Sequence, residues 1–306
     1  MPITPLLCRL AWPALALAGL ALATSGCAGS VLDALGPVGR DDSQILLDAL
    51  LIMLAIVIPT ILLAFWIAWR YRASNTRAEY LPYWSYSGRL EAIVWSIPIL
   101  TIMFIGGVIW IGSYRLDPFR PLPSKTQPIE VQVVSLDWKW LFIYPREGIA
   151  TVNQLVVPAG TPVHFSITSA SVFNVFFVPR LGSMIYAMPG MVSQLNLQAD
   201  RPATMFGQSS HFSGDGFSDM QFQVKSLPAA EFAAWTQKVR SAGPMLDEAA
   251  YRGLAKQSYK VPTLAFARVD PQLFQAIAEQ KFGPAPGPEP GNPKHAGREL
   301  SAVGGH

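Results

Sequence analysis

Two long apolar stretches divide the chain. Residues 49–69 and 92–114 run for 21 and 23 positions without a charged side chain. A helix needs about 20 apolar residues to cross the hydrocarbon core of a bilayer, so the pattern predicts two transmembrane helices, with spans at about 47–69 and 92–114. Pro59 and Pro98 fall inside them, where neighbouring helices can satisfy the freed carbonyls and a kink is expected. From about Ile129 to Val224 the texture changes to short alternating runs broken by Pro and Gly. Ile129, Val131 and Val133 alternate with polar partners, and Val163, Phe165 and Ile167 do so after Pro158-Ala159-Gly160. Such runs predict an antiparallel sandwich or barrel, for which about 100 residues suffice. The period shifts again at residues 229–242 (Phe232, Trp235, Val239), at 247–255 and at 271–280, which read as short helices. Residues 283–306 are dense in Pro and Gly and predict a disordered tail.

Composition agrees with a membrane protein. The 306-residue chain is 51% hydrophobic and 14% charged, against about 25% charged for soluble domains. A net charge of +3 with scattered basic residues gives a nucleic-acid partner no support. Cysteine excludes more: only Cys8 and Cys27 occur, too few for a disulfide framework or a Cys-based metal site. Residues 1–26 read as an export signal, with Arg9 before an apolar run and Thr24-Ser25-Gly26 before Cys27. The pattern is that of a bacterial lipoprotein signal with Cys27 as the acylated residue. Cleavage after Ala21-Leu22-Ala23, leaving Cys27 unmodified, is the alternative. Between the spans lie Arg70, Arg72, Arg77 and Arg89. Basic residues there place that loop in the cytoplasm and both termini outside.

The candidate chemistry is sparse. His164 falls on the strand face opposite Val163, Phe165 and Ile167, and His295 and His306 lie in the tail. Met184, Met188, Met191 and Met220 read as packing rather than a thioether site. Glu91 opens the second span in RLEAIVWSIPI, where a helix dipole favours an acid. No nucleophile triad, phosphate loop or carboxylate pair is present. The most distinctive stretch is residues 206–220, FGQSSHFSGDGFSDM. It has the outline of a metal loop, yet serines stand at Ser209 and Ser213, and a hydroxyl is a poor copper ligand.

This stretch resembles the copper loop of subunit II of the haem-copper oxidases. By that resemblance Ser209 and Ser213 fall on the two Cys, His211 on the Glu, Phe217 on a His and Met220 on the Met. Asn174, in SVFNVFFVP, falls on the upstream His. LDWKWLFIYP and VPRLGSMIYAMPG match family segments around Trp138, Trp140 and Gly182. An empty site on a kept scaffold resembles the cytochrome bo-type ubiquinol oxidases, and the likeness runs over residues 27–280.

The resemblance implies a fold of membrane α plus all-β type: a two-helix transmembrane hairpin, a cupredoxin-like Greek-key barrel and a short helical C-terminal extension. The implied domains are a lipoprotein signal peptide at 1–26, the hairpin region at 27–126, a periplasmic cupredoxin-like domain without copper at 127–226, the extension at 227–282 and the tail at 283–306. It implies subunit II of a proton-pumping ubiquinol oxidase in a bacterial inner membrane, with no redox centre, metal or catalytic residue in this chain. Haems and one copper are then expected in subunit I, ubiquinol is the substrate of the complex, and subunits I, III and IV and membrane lipid are the partners. Glu91 matches the glutamate at the mouth of a proton channel, the alternative to a structural helix cap. Trp138 falls on the tryptophan that accepts electrons in cytochrome c oxidases. Without copper behind it, the residue is expected to be a barrel-surface aromatic packing on a partner, flanked by Asp137 and Lys139. The rivals are a copper-containing cytochrome c oxidase subunit II and a non-enzymatic membrane lipoprotein with a cupredoxin-like binding domain.

Overall fold

The computed structural model describes residues 31–79 and 81–282. The leader, Cys27 and the tail lie outside the described residues. The chain forms two compact units, Asp41–Asp117 and the remainder.

The smaller unit is a helical hairpin. Helices α1 (Pro37–Arg70) and α2 (Gly88–Arg115) have 34 and 28 residues. At 1.5 Å per residue each is longer than the roughly 30 Å of hydrocarbon, so helix continues past the apolar runs. Their apolar windows reach mean hydropathies of 2.8 and 2.3 with no residue buried. Phe65, Trp66, Ile102 and Phe104 all stand exposed. A surface this apolar belongs in lipid or against another membrane protein, and the chain is membrane-anchored. Both helices run through their prolines. Beside each one a threonine donates to the preceding turn, Thr60 Oγ1 to Ile56 O and Thr101 Oγ1 to Ile97 O, both at 2.7 Å. At the helix crossing a Cβ on Gly112 would lie 2.7 Å from Ile45 Cδ1, so glycine sets how closely the helices approach.

The larger unit is a cupredoxin-like barrel. Its strands are β1 (Ile129–Leu136), β2 (Lys139–Tyr144), β3 (Ile149–Val152), β4 (Gln154–Pro158), β5 (Pro162–Ser169), β6 (Asn174–Val178), β7 (Gly182–Ala187), β8 (Ser193–Gln198), β9 (Ala203–Ser209) and β10 (Gln221–Leu227). The extension adds α3 (Ala229–Ala242), β11 (Met245–Leu246), α4 (Glu248–Leu254), β12 (Leu264–Phe266), β13 (Arg268–Val269) and α5 (Leu273–Ala278). One sheet has the order β12-β3-β2-β1-β5-β8 and the other β4-β10-β9-β6-β7. Alternation predicted antiparallel pairing, but β1 pairs with β5 and β4 with β10 in parallel. The chain leaves the first sheet after β3, makes β4 in the second, and returns to set β5 beside β1. A crossover of this kind, not a hairpin, is what joins parallel strands.

Rings fill the space between the sheets. Phe176 stacks on Phe222 at 5.4 Å and meets Trp140 and Phe165 at 5.5 and 5.4 Å. Gly207 makes this possible, because a Cβ there would lie 2.1 Å from Phe222 Cζ. Tyr144 is fully buried, with its hydroxyl donating to Val156 O and accepting from Val156 N. Burial pushes its phenol well above the usual range.

The first sheet is covered on its outer face as well. Val134, Leu136, Leu141, Ile143 and Val152 pack against Leu246, Tyr251, Phe266, Leu273, Phe274 and Ile277 of the extension. This is why β2 and β3 are buried at every position. The extension is part of the barrel's core, and β12 joins the sheet through β3.

Candidate functional site

The loop from Ser209 to Met220 closes one end of the barrel, and it holds its shape without a metal ligand set. Ser209 ends β9 and Asn174 begins β6, so the two sheet strands bring them together: Ser209 Oγ donates to Asn174 Oδ1 at 2.9 Å. Ser213 Oγ reaches Met220 Sδ at 3.9 Å. A short 3₁₀ turn, Phe217–Asp219, then delivers Met220, whose N–H donates to Phe217 O and whose carbonyl accepts from Ser209 N–H, both at 3.1 Å. Asn174, Ser209, Ser213 and Met220 are all buried.

Four of the six positions singled out in the sequence therefore meet in one pocket. The other two do not join them. His211 is exposed, with its ring 5.8 Å edge-on from Phe173, and half-buried Phe217 meets Phe212 at 5.6 Å. The pocket's donors are one thioether, two hydroxyls and one amide. Copper asks for thiolate or imidazole, so this donor set does not fit it. Among the described residues no three His, Cys, Asp or Glu side chains gather to hold a metal. Asn174 Nδ2 is buried there without a hydrogen-bond partner. His164, on the barrel flank, is a structural group: its Nδ1 pairs with Asn196 Oδ1 at 2.9 Å, and Asn196 Nδ2 donates to Pro118 O at 3.0 Å.

Trp138 differs from the sequence expectation. It is 2% exposed rather than a surface aromatic. It occupies the turn between β1 and β2 with φ at +62°, a left-handed conformation that a bulky residue adopts at a cost of roughly 1–3 kcal/mol. Its indole lies flat on Gly216, where a Cβ would sit 2.3 Å from Trp138 Cδ2, and Nε1 donates to Ser213 O at 3.1 Å. On its other side Tyr259 stacks at 4.6 Å. The covering residue comes from the extension, more than 100 positions away, and has no periodic signal that a sequence reading could use.

Asp137 and Lys139 also face inward, not toward a partner. Lys139 is fully buried, and its ammonium donates to Asp137 O, Lys256 O and Ser258 Oγ at 3.1, 2.8 and 2.7 Å. Desolvation pushes its pKa down to about 8, and the Asp137 charge partly opposes that. Asp137 Oδ1 accepts from Ser171 Oγ at 2.5 Å. Burial raises its carboxyl, while the Ser171 and Gln257 side chains and the Lys139 charge pull it back.

In the helical unit, Glu91 sits in the first turn of α2, where Ser87 holds the N-cap position without a side-chain capping bond. Its side chain is exposed, and Oε2 accepts from Trp95 Nε1 at 3.1 Å. The carboxylate is thus held by Trp95 of its own helix, at the end that follows the loop bearing Arg70, Arg72 and Arg77.

Comparison with known proteins gives one answer. The family model for the cytochrome c oxidase subunit II periplasmic domain matches residues 101–227, and that for the COX aromatic rich motif matches residues 240–283. The chain is 49% identical over 259 residues to ubiquinol oxidase subunit 2 of Acetobacter aceti, covering 84% of each chain. It is 45% identical over 285 residues to the cytochrome bo(3) ubiquinol oxidase subunit 2 of Pseudomonas aeruginosa, covering 92% of this chain and 86% of that one. Quinol oxidase subunit 2 of Bacillus cereus is 35% identical over 228 residues, with 74% and 78% covered. The chain belongs to the ubiquinol oxidase subunit 2 family.

Proposed function

We propose that this chain is subunit II of a proton-pumping oxidase that oxidises ubiquinol and reduces oxygen to water in the aerobic respiratory chain. The observation that carries the reading is the match along most of the chain to ubiquinol oxidase subunit 2 proteins. The pocket of Asn174, Ser209, Ser213 and Met220 agrees with it, because hydroxyls and an amide cannot relay electrons as a copper thiolate centre does. In this reading the chain is a non-catalytic subunit. It holds no redox centre, and the six loop positions are those of a lost copper site. Haems and one copper belong to subunit I, and subunits III and IV complete the assembly.

The hairpin anchors the chain in a bacterial inner membrane, with the barrel on the periplasmic side and Cys27 lipidated. The domain limits read from the sequence are part of this proposal. The arginines of the connecting loop support a cytoplasmic Glu91, and in this reading its carboxylate collects protons for the catalytic subunit. The test is the complex purified through this chain. Ubiquinol oxidation with one copper per complex is the expected result. Three coppers, or turnover with reduced cytochrome c alone, would instead make this a copper-bearing electron carrier.

A further inference from the structure

Residues 256–261 form a strap between two anchors. On one side Tyr251 of α4 and on the other Phe266 of β12 are buried in the core cluster. From Ala255 to Thr263 the chain has no helix or strand, and no residue from 256 to 265 is buried. Several contacts tie the strap to the barrel. Tyr259 stacks on Trp138, Lys139 Nζ donates to Lys256 O and Ser258 Oγ, the Gln257 side chain bonds Asp137, Asn153 Nδ2 donates to Val261 O at 2.8 Å, and Val261 packs at the edge of the core cluster.

The strap therefore rests on one stacked ring, one half-buried valine and a set of polar contacts, with none of its own residues buried, while the residues beneath it are among the most buried in the barrel. Segments with few buried apolar contacts open at a lower free energy than the whole fold. The groups below are held in a demanding state. Trp138 has a left-handed backbone, and the Lys139 ammonium is desolvated, with each of its three protons given to an oxygen that is not a side-chain carboxylate.

We propose that residues 256–261 are a lid that opens locally over Trp138 while the barrel stays folded, with Lys139 as its latch. Closed, the lid covers the Trp138 face with the Tyr259 ring. Open, it exposes the indole and the ammonium together and leaves both sheets intact, because the anchors at Tyr251 and Phe266 do not move. The inference rests on the geometry of this chain and does not depend on the electron donor assigned above.

The latch reports its own opening, since a buried amine reacts only when it is uncovered. The experiment treats the intact oxidase complex with acetic anhydride to acetylate Lys139 and, in a parallel sample, with hydroxyl radicals to oxidise Trp138, and reads both by peptide mass spectrometry, with hydrogen exchange of the β2 amides as the measure of global opening. Lys139 should react faster than the β2 amides exchange, and its rate should depend only weakly on added urea, because a local opening exposes little surface. Ser258→Ala removes one latch acceptor without touching the sheet. It should speed both reactions by about tenfold and leave β2 exchange within twofold of the parent. The proposal is overturned if Lys139 reacts only in step with β2 exchange and with the same steep urea dependence. It is equally overturned if Ser258→Ala leaves both rates unchanged.

Discussion

Lys139→Met makes the buried ammonium measurable. Methionine keeps most of the stem and removes the charge. At pH 7 two effects oppose one another: the desolvated charge is gone, but Asp137 O, Lys256 O and Ser258 Oγ lose their donor, at about 1–3 kcal/mol for each acceptor left unpaired. The pH dependence separates them. The Lys139 pKa falls from 10.5 to about 8 on folding, so between those values the folded state carries fewer protons than the unfolded one. Stability then rises with pH, by up to about 1.4 kcal/mol per unit and about 3 kcal/mol across the window at most. The penalty is fully present below pH 8 and is relieved by pH 10.5.

The assay is urea unfolding of wild type and variant side by side in detergent, followed by near-ultraviolet circular dichroism. Other groups that titrate in the alkaline range, among them Tyr251, which burial pushes up to about 12, cancel in the difference. The wild type should gain about 2–3 kcal/mol on the variant between pH 7.5 and 10.5. A difference that stays flat, or that shrinks as pH rises, would refute the argument that this ammonium is held desolvated.

Three further outcomes are expected. Gly207→Ala drives a methyl into the Phe222 ring and should destabilise the barrel by about 1–3 kcal/mol in the same unfolding assay. Ending the chain after Ala242 strips the cover from Val134, Leu136, Leu141, Ile143 and Val152; the truncated protein should fail to accumulate in membranes, as an immunoblot would show. If Glu91 gathers protons, Glu91→Gln should lower ubiquinol oxidation severalfold in an assembled complex with normal haem content, and Glu91→Asp should keep most of it. An equal loss in both variants with lowered haem content would point to the helix cap instead.

Much of the architecture was legible because periodicity reflects burial. The amphipathic run with Phe232, Trp235 and Val239 predicted a helix over residues 229–242, and α3 spans Ala229–Ala242. Asp247, read as the start of a helix, caps α4 by accepting from Ala250 N–H. Two features stayed hidden for a physical reason. Parallel pairing of β1 with β5 follows from the route of the chain between sheets, and alternation along a single strand carries no trace of it. The covered outer face of the first sheet did leave a signal, the unbroken run Lys139–Tyr144, since strands buried on both faces lose their alternation. Within that run Lys139 reads as a surface charge unless the strap that accepts its protons is known. The same holds for Trp138, whose cover lies in a segment with no period of its own.

Those two residues also explain how the loop over the pocket keeps its fold. A metal centre stabilises its loop by binding only the folded arrangement, and that stabilisation is absent where the donors are hydroxyls and an amide. The chain replaces it from both sides. From below, Ser209 joins Asn174 across two strands, and Ser213 reaches Met220. From above, Gly216 lies under the Trp138 ring, Trp138 Nε1 holds Ser213 O, and Tyr259 closes the stack. Ser213 is gripped from both directions, by its hydroxyl and by its carbonyl. A loop held in this way depends on the extension, because the uppermost layer of the stack belongs to it. Changes at Tyr259 should therefore be felt at residues 213–216 before they are felt at Ser209, whose bond to Asn174 joins two strands of the second sheet. Backbone exchange rates in a Tyr259→Ala variant would show that order, and a loop that loosens uniformly would count against it.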